Sequence, residues 1–204
     1  MQSTTNQHQT RFFSTPTLVK VAVLSAICYV LMFIQFPIPA IFPDFLKIDI
    51  SDVPAILGGM ALGPVAGITI ELIKNILQAL TNSTTGGVGE LANFLIGGSF
   101  VLVTSVIYRK GKSLKSSIIG LIVGTIFMTA VGAIANYFIL IPFYTNFMPL
   151  EAIIGMGSAL NPKVVDLATY IMWMVTPFNI IKGILMSIIV VLVYKKVEYI
   201  LRKG

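Results

Sequence analysis

Histidine, cysteine and tryptophan each occur once in this 204-residue chain, and that scarcity removes most of the chemistry a protein of this size could carry. Cys28 lies in an apolar run and reads as a small core residue. Alone, it forms neither an internal disulfide nor the paired-cysteine spacings that hold zinc. His8 stands in a polar stretch, Met1 to Ser14, which reads as a solvated tail, so the sequence argues against a metal site, a Ser–His pair and an H-E-x-x-H helix. No G-x-x-x-x-G-K-S/T loop is present to cradle phosphates, and no G-x-S-x-G elbow to present a nucleophile. The expectation is a protein that is not an enzyme, holds no cofactor and hydrolyses no nucleotide by itself.

Charge is scarce too. Only 11% of the residues are charged, against roughly a quarter in an ordinary soluble domain, while 56% are hydrophobic and the mean hydropathy is +0.91. A soluble domain of this length leaves roughly a third of its unfolded surface exposed. So much apolar surface cannot all be hidden from water, and the partner it needs is lipid. The net charge of +6 then reads as membrane topology rather than as affinity for nucleic acid. With no charged leader ending in a small-residue cleavage site, the first apolar segment is expected to stay as a helix.

Four stretches are long enough to cross a hydrocarbon core of about 30 Å: Leu18 to Phe36, Leu91 to Tyr108, Ser117 to Ile141 and Leu167 to Tyr194. A fifth, Val53 to Leu80, is interrupted by Gly58, Gly59, Gly63 and Pro64 and reads as either one kinked helix or two short ones. Basic residues collect on cytoplasmic loops, and here they cluster at Arg11 with Lys20, at Arg109, Lys110, Lys112 and Lys115, and at Lys195, Lys196, Arg202 and Lys203. Placing all three clusters inside requires the fifth stretch to cross twice. The fold class expected is therefore an all-α integral membrane protein, a six-helix bundle with both termini cytoplasmic. Ten of the 14 basic residues then lie inside, and six of the eight acids (Asp44, Asp49, Asp52, Glu90, Glu151, Asp166) lie outside. Val53 to Leu62 would be only about 15 Å long, tolerable at membrane depth where it packs on protein or lines a cavity.

The organisation that follows is a cytoplasmic tail over 1–16 and a single membrane domain over 17–204. An outer loop over 37–52, stiffened by Pro37, Pro39 and Pro43 among apolar residues, should fold back as a lid. A basic cytoplasmic loop covers 109–115, and a second outer loop, with a weak helical pattern from Pro149 to Met156, covers 142–166.

Polar side chains inside a bilayer are costly and face the bundle interior or a cavity. Counted from the inner boundary at 1.5 Å per residue, Lys182 stands about 20 Å up, Asn179 and Asn93 about 24 Å and Asn136 about 30 Å. They form one outward-lying layer. Asn179 and Lys182 share a helix face, Pro177 can bend that helix, and Tyr137, Tyr144, Phe178 and Phe45 lie near the same level. Such a layer suits a flat, neutral, heteroaromatic solute with carbonyls. The competing reading makes each Asn an interhelical hydrogen bond and pairs Lys182 with Asp49 or Asp52. A second polar stripe, Glu71, Lys74, Asn75 and Gln78, lies on one face of a helix, where Glu71 and Lys74 can neutralise each other, and reads as structural. Ala22 and Ala26 form a small-xxx-small pair near the cytoplasmic end of the first helix, where another backbone can approach.

Several segments together resemble the substrate-binding S-components of energy-coupling factor vitamin transporters, and among them the riboflavin-specific branch of Gram-positive bacteria. They are the Ala22 and Ala26 pair, K-I-D-I-S-D-V-P-A-I-L-G-G from Lys47 to Gly59, A-L-G-P-V-A-G from Ala61 to Gly67, G-E-L-A-N-F from Gly89 to Phe94, N-Y-F from Asn136 to Phe138 and P-F-N-I-I-K-G from Pro177 to Gly183. The resemblance implies a multi-pass protein of the plasma membrane that binds riboflavin from outside as transported ligand. It implies a transmembrane coupling protein and two ATPase subunits as partners, docked on Ala22 and Ala26. Carried onto this chain, it makes Asn93, Asn136, Asn179 and Lys182 flavin contacts, with Leu46 from the loop and Asn146 as a further candidate. Other readings are an S-component for another vitamin such as thiamine, whose cation would want a carboxylate where Lys182 stands, a self-sufficient secondary transporter, for which no internal repeat is visible, or an assembly protein with no ligand.

Overall fold

A computed structural model describes residues 14–43 and 46–203. His8, Arg11, Asp44 and Phe45, and the side chains of Lys195, Arg202 and Lys203, lie outside the described residues. Helices dominate: α1 (Thr15–Met32), α2 (Asp52–Leu62), α3 (Pro64–Thr81), α4 (Val88–Gly111), α5 (Leu114–Ala135), α6 (Ile141–Tyr144), α7 (Leu150–Ser158), α8 (Leu167–Tyr170) and α9 (Thr176–Lys203). A five-residue π-helical turn, Asn136–Leu140, joins α5 to α6, and another, Ile171–Val175, joins α8 to α9. Among the described residues, four rods are long and apolar enough to cross a membrane: Thr15–Met32, Val88–Gly111, Leu114–Tyr144 and Leu167–Tyr194.

The first helix ends earlier than expected. Instead of continuing to Phe36 it stops at Met32, and Gln35–Pro37 forms β1, paired antiparallel with β2 (Lys47–Asp49) in the register Phe36 opposite Ile48. Pro37 is the physical reason, because the residue before a proline is pushed out of the α region. The outer loop is thus a short hairpin, and it folds back: Phe42, Leu46 and Ile48 are buried in one cluster with Ile141, Ile153, Tyr170, Met174 and Phe178.

The Val53 to Leu80 stretch is two helices. Gly63 between them has φ +118°, a conformation that costs glycine little and strains other residues, and Pro64 opens α3 where its missing N–H is no loss. Gly63 faces the Arg109 guanidinium at the end of α4, whereas the far end of α3 meets the far end of α1, Tyr29 to Thr81 at 2.8 Å. α2 and α3 therefore run in opposite directions. Although too short to span, α2 is buried from Asp52 to Met60, packed among α1, α3, α4 and α9.

α3 is amphipathic in the sense proper to lipid. Val65, Leu72, Ile76 and Leu80 face outward, Leu80 at 80% exposure, while Glu71, Lys74, Asn75 and Gln78 point inward. Small residues let the inner helices meet closely. A Cβ on Gly67 would lie 2.7 Å from the Gly59 Cα, and one on Gly120 would lie 2.9 Å from the Thr104 carbonyl.

Candidate functional site

Two polar constellations meet beneath the hairpin. The first is a chain of charges. Lys182 on α9 is 5% exposed and places its Nζ 3.1 Å from Asp49 Oδ2 on the hairpin and 3.3 Å from Asp52 Oδ2 at the start of α2. Asp52 also pairs with Lys74 of α3, whose Nζ is 2.7 Å from Glu71 Oε1 and donates to Ser51 Oγ at 2.9 Å. The Ser51 hydroxyl donates in turn to Asp49, with which its backbone N–H also bonds at 2.9 Å. Asn75 Nδ2 donates to Glu71 Oε1 at 3.2 Å, and Asn93 Nδ2 on α4 donates to Asn75 Oδ1 at 3.0 Å. One connected path of ion pairs and hydrogen bonds thus ties the hairpin, α2, α3, α4 and α9 together. Charges this deep need partners on every side, and Asp52 sits where the α2 dipole favours an anion.

The second constellation is built on the π-helical turns, which touch each other. Each precedes a proline, Pro142 or Pro177, whose ring removes an i→i−4 bond and crowds the preceding turn, so the helix widens locally. Asn136 opens the first turn and donates from Nδ2 to Gly132 O at 2.9 Å, while Asn179 follows the second and donates to Val175 O at 2.9 Å. They converge at Gly132, since a Cβ there would meet Asn179 Nδ2 at 2.7 Å. Asn179 and Lys182, on one face of α9, link the two constellations. Apolar walls stand around them: Phe42 and Phe178 pack edge to face with ring centroids 5.4 Å apart, and Leu46 is buried beside them.

Of the sequence-nominated residues, Asn136, Asn179, Lys182 and Leu46 come together in this region. Asn93 joins through Asn75, on the α3 side of the charge chain. Asn146 does not join: it is exposed and bonds locally to the Phe143 carbonyl at 2.9 Å. Tyr137 is 42% exposed, stacked edge to face on Phe138, and Tyr144 is half-buried. Glu71 and Lys74 pair as expected, and Lys182 takes both of the acids offered as its alternative partners. What sequence reading missed is that these are one system with Asp52 as its hub. The available signal was a Ser-Asp pair directly before an apolar helix. Ala22 and Ala26 are exposed on α1 between Val19, Val23 and Ile27.

The family described as "ECF transporter, substrate-specific component" matches residues 16–194. The chain is 45% identical over 186 residues to "Riboflavin transporter RibU" of Staphylococcus aureus (strain TCH60), covering 91% of this chain and 92% of the relative. It is 41% identical over 183 residues to "Riboflavin transporter FmnP" of Bacillus subtilis (strain 168), covering 89% and 91%. A solved structure described as "Structure and mechanism of the S component of a bacterial ECF transporter" superposes with a TM-score of 0.71 at 42% identity, over 91% of this chain and 97% of that one.

Proposed function

Because the chain belongs to the family of substrate-specific components of ECF transporters, we propose that it captures riboflavin at the outer face of the plasma membrane for uptake driven by partner subunits. The reading rests on one observation above others. The buried cation on α9 that suits a flavin's carbonyl oxygens is the same cation that ties down the hairpin through Asp49. Arrival of the ligand then exchanges Asp49 for flavin oxygens at Lys182, with the Asn136 and Asn179 amides on the ring edge or ribityl hydroxyls and Leu46, Phe42 and Phe178 covering the ring. Asn93 borders the same chamber from α4.

The topology that serves this function has six crossings with both termini inside. It is supported by Gly63 lying against Arg109 at one end while Tyr29 bonds Thr81 at the other, which makes α2 and α3 an inward and an outward pass. Energy comes from a transmembrane coupling protein and two ATPase subunits, and the exposed Ala22 and Ala26 stripe is the surface on which the coupling protein docks.

Riboflavin titration of the purified protein, followed by flavin fluorescence, tests the chamber. Lys182→Ala and Asn179→Ala should each weaken binding by about tenfold or more, the worth of a hydrogen bond involving a buried charged or polar group. Unchanged affinity in both removes this site. Ala22→Leu with Ala26→Leu should leave binding intact and abolish uptake in cells, so normal uptake by that variant overturns the docking surface.

A further inference from the structure

An apolar groove lies between α5 and α9. Its volume is about 260 Å³, and it is lined by Ile118, Leu121 and Ile122 of α5 and by Ser187, Ile188 and Leu192 of α9. Its one polar residue offers nothing to a solute, because the Ser187 hydroxyl donates back to the Gly183 carbonyl at 2.7 Å. Such a groove takes hydrocarbon. Its walls span little more than one helical turn each, and its volume falls well short of that of a helical segment about 10 Å across, so its occupant is a slender chain rather than a protein segment.

The mouth says which chain. α5 and α9 run antiparallel, so Ile118 and Leu192 stand at the same end of the groove. One turn further out on each helix are Lys115 and Lys196, both exposed, and no ion pair among the described residues engages either ammonium. Two cations at the rim of an apolar slot match a phosphate-bearing headgroup above an acyl chain. We propose that this groove is a binding site for an anionic phospholipid, with one acyl chain between α5 and α9 and its phosphate between Lys115 and Lys196. The site is separate from the vitamin chamber and independent of what that chamber binds.

The test uses the full chain reconstituted in vesicles of phosphatidylcholine containing dibrominated phosphatidylglycerol or dibrominated phosphatidylcholine. The sole tryptophan, Trp173, is removed by Trp173→Phe, and Ile184→Trp places a fluorophore on α9 one turn above the groove. Quenching by the brominated anionic lipid should show a preference of at least about fivefold over the zwitterionic one, the order expected for a lysine near an anionic headgroup. The preference should fall to about one in Lys115→Ala with Lys196→Ala, and shrink with added salt. Equal quenching by both lipids, or a preference that survives loss of both lysines, overturns the proposal. Both lysines are exposed, so the double variant folds. Unchanged riboflavin binding in it separates failure of this site from failure of the chamber.

Discussion

Towards the end that carries Arg109 and Tyr194 the helices meet backbone to backbone. Towards the hairpin they meet through side chains. In the first region Gly59 and Gly67 bring α2 and α3 into contact, Gly120 sets α5 on α4, and apolar side chains such as Ile56, Val101, Met186 and Val190 fill the rest. In the second, two π-helical turns interrupt the long rods, and the interior is occupied by Lys182, Asp52, Lys74, Glu71 and the folded-back Phe42, Leu46 and Ile48. Backbone contact of the first kind has no alternative partner, because nothing can replace a missing Cβ. Ion pairs and rotatable side chains of the second kind can exchange partners at modest cost when a ligand supplies equivalent oxygens. The difference separates a close-packed scaffold from a region of exchangeable contacts within one bundle, in a solvent where hydrophobic burial contributes little to helix association.

The largest effect should come from breaking the charge chain at its centre. Lys74 and Asp52 are wholly buried, and Lys74→Met leaves the Asp52 and Glu71 carboxylates short of a cation. The expected loss is about 3–5 kcal/mol, read as a large drop in melting temperature in detergent. Combining Lys74→Met with Asp52→Asn and Glu71→Gln should recover most of it, since the charges then need no partner. A single variant as stable as the parent would mean that the hairpin half is held by something other than this network.

A smaller effect belongs to the scaffold half. Gly67→Ala puts a methyl 2.6 Å from Val101 Cγ1 and 2.7 Å from the Gly59 Cα. The backbone cannot yield without separating α2 from α3, so about 1–3 kcal/mol should be lost. Gly155→Ala, at an exposed position inside α7 where a Cβ would have nothing within 4 Å, should instead stabilise slightly, by about 0.5–1 kcal/mol from helix propensity. Equal melting temperatures for the two variants would erase the distinction between close-packed and open regions.

Those features that depend on length and charge counting alone were readable in advance. The four long rods follow from unbroken apolar runs, the division at Gly63 from the requirement that Lys20 and Arg109 share a side, and the Glu71–Lys74 pair from helical spacing. The hairpin was hidden because Phe33, Ile34 and Phe36 are as apolar as the helix before them, and only Pro37 marks the change. Nor does any local pattern join Asp52 to Lys74: the contact exists because Gly63 turns α3 back along α2. Asn146 was nominated through the family resemblance, yet the turn after α6 leaves it exposed. The buried polar cluster was legible as a set of residues at one height, and its wiring was not, since wiring depends on the rotation of each helix about its own axis.

The smallest predicted effect asks whether burial, rather than position near the hairpin end, is what makes a carboxylate there matter. Asp166 caps α8: its Oδ1 accepts from the Thr169 N–H at 2.8 Å and from the Thr169 hydroxyl at 2.7 Å, while its own N–H donates to Thr169 Oγ1 at 2.9 Å. These bonds, the backbone one foremost, hold its carboxyl below the usual carboxylate range. A group depressed in this way stabilises the fold above its unfolded pKa, and the contribution fades as pH falls through the folded value. Asp166→Ala should therefore lower the melting temperature slightly at neutral pH, with the gap to the parent closing under acid conditions. Asp166→Asn, an equally good cap, should show a smaller deficit at neutral pH, carried by no titrating group of its own. A drop as large as that of Lys74→Met would assign the cost of losing a charge to its end of the molecule instead of to its removal from water.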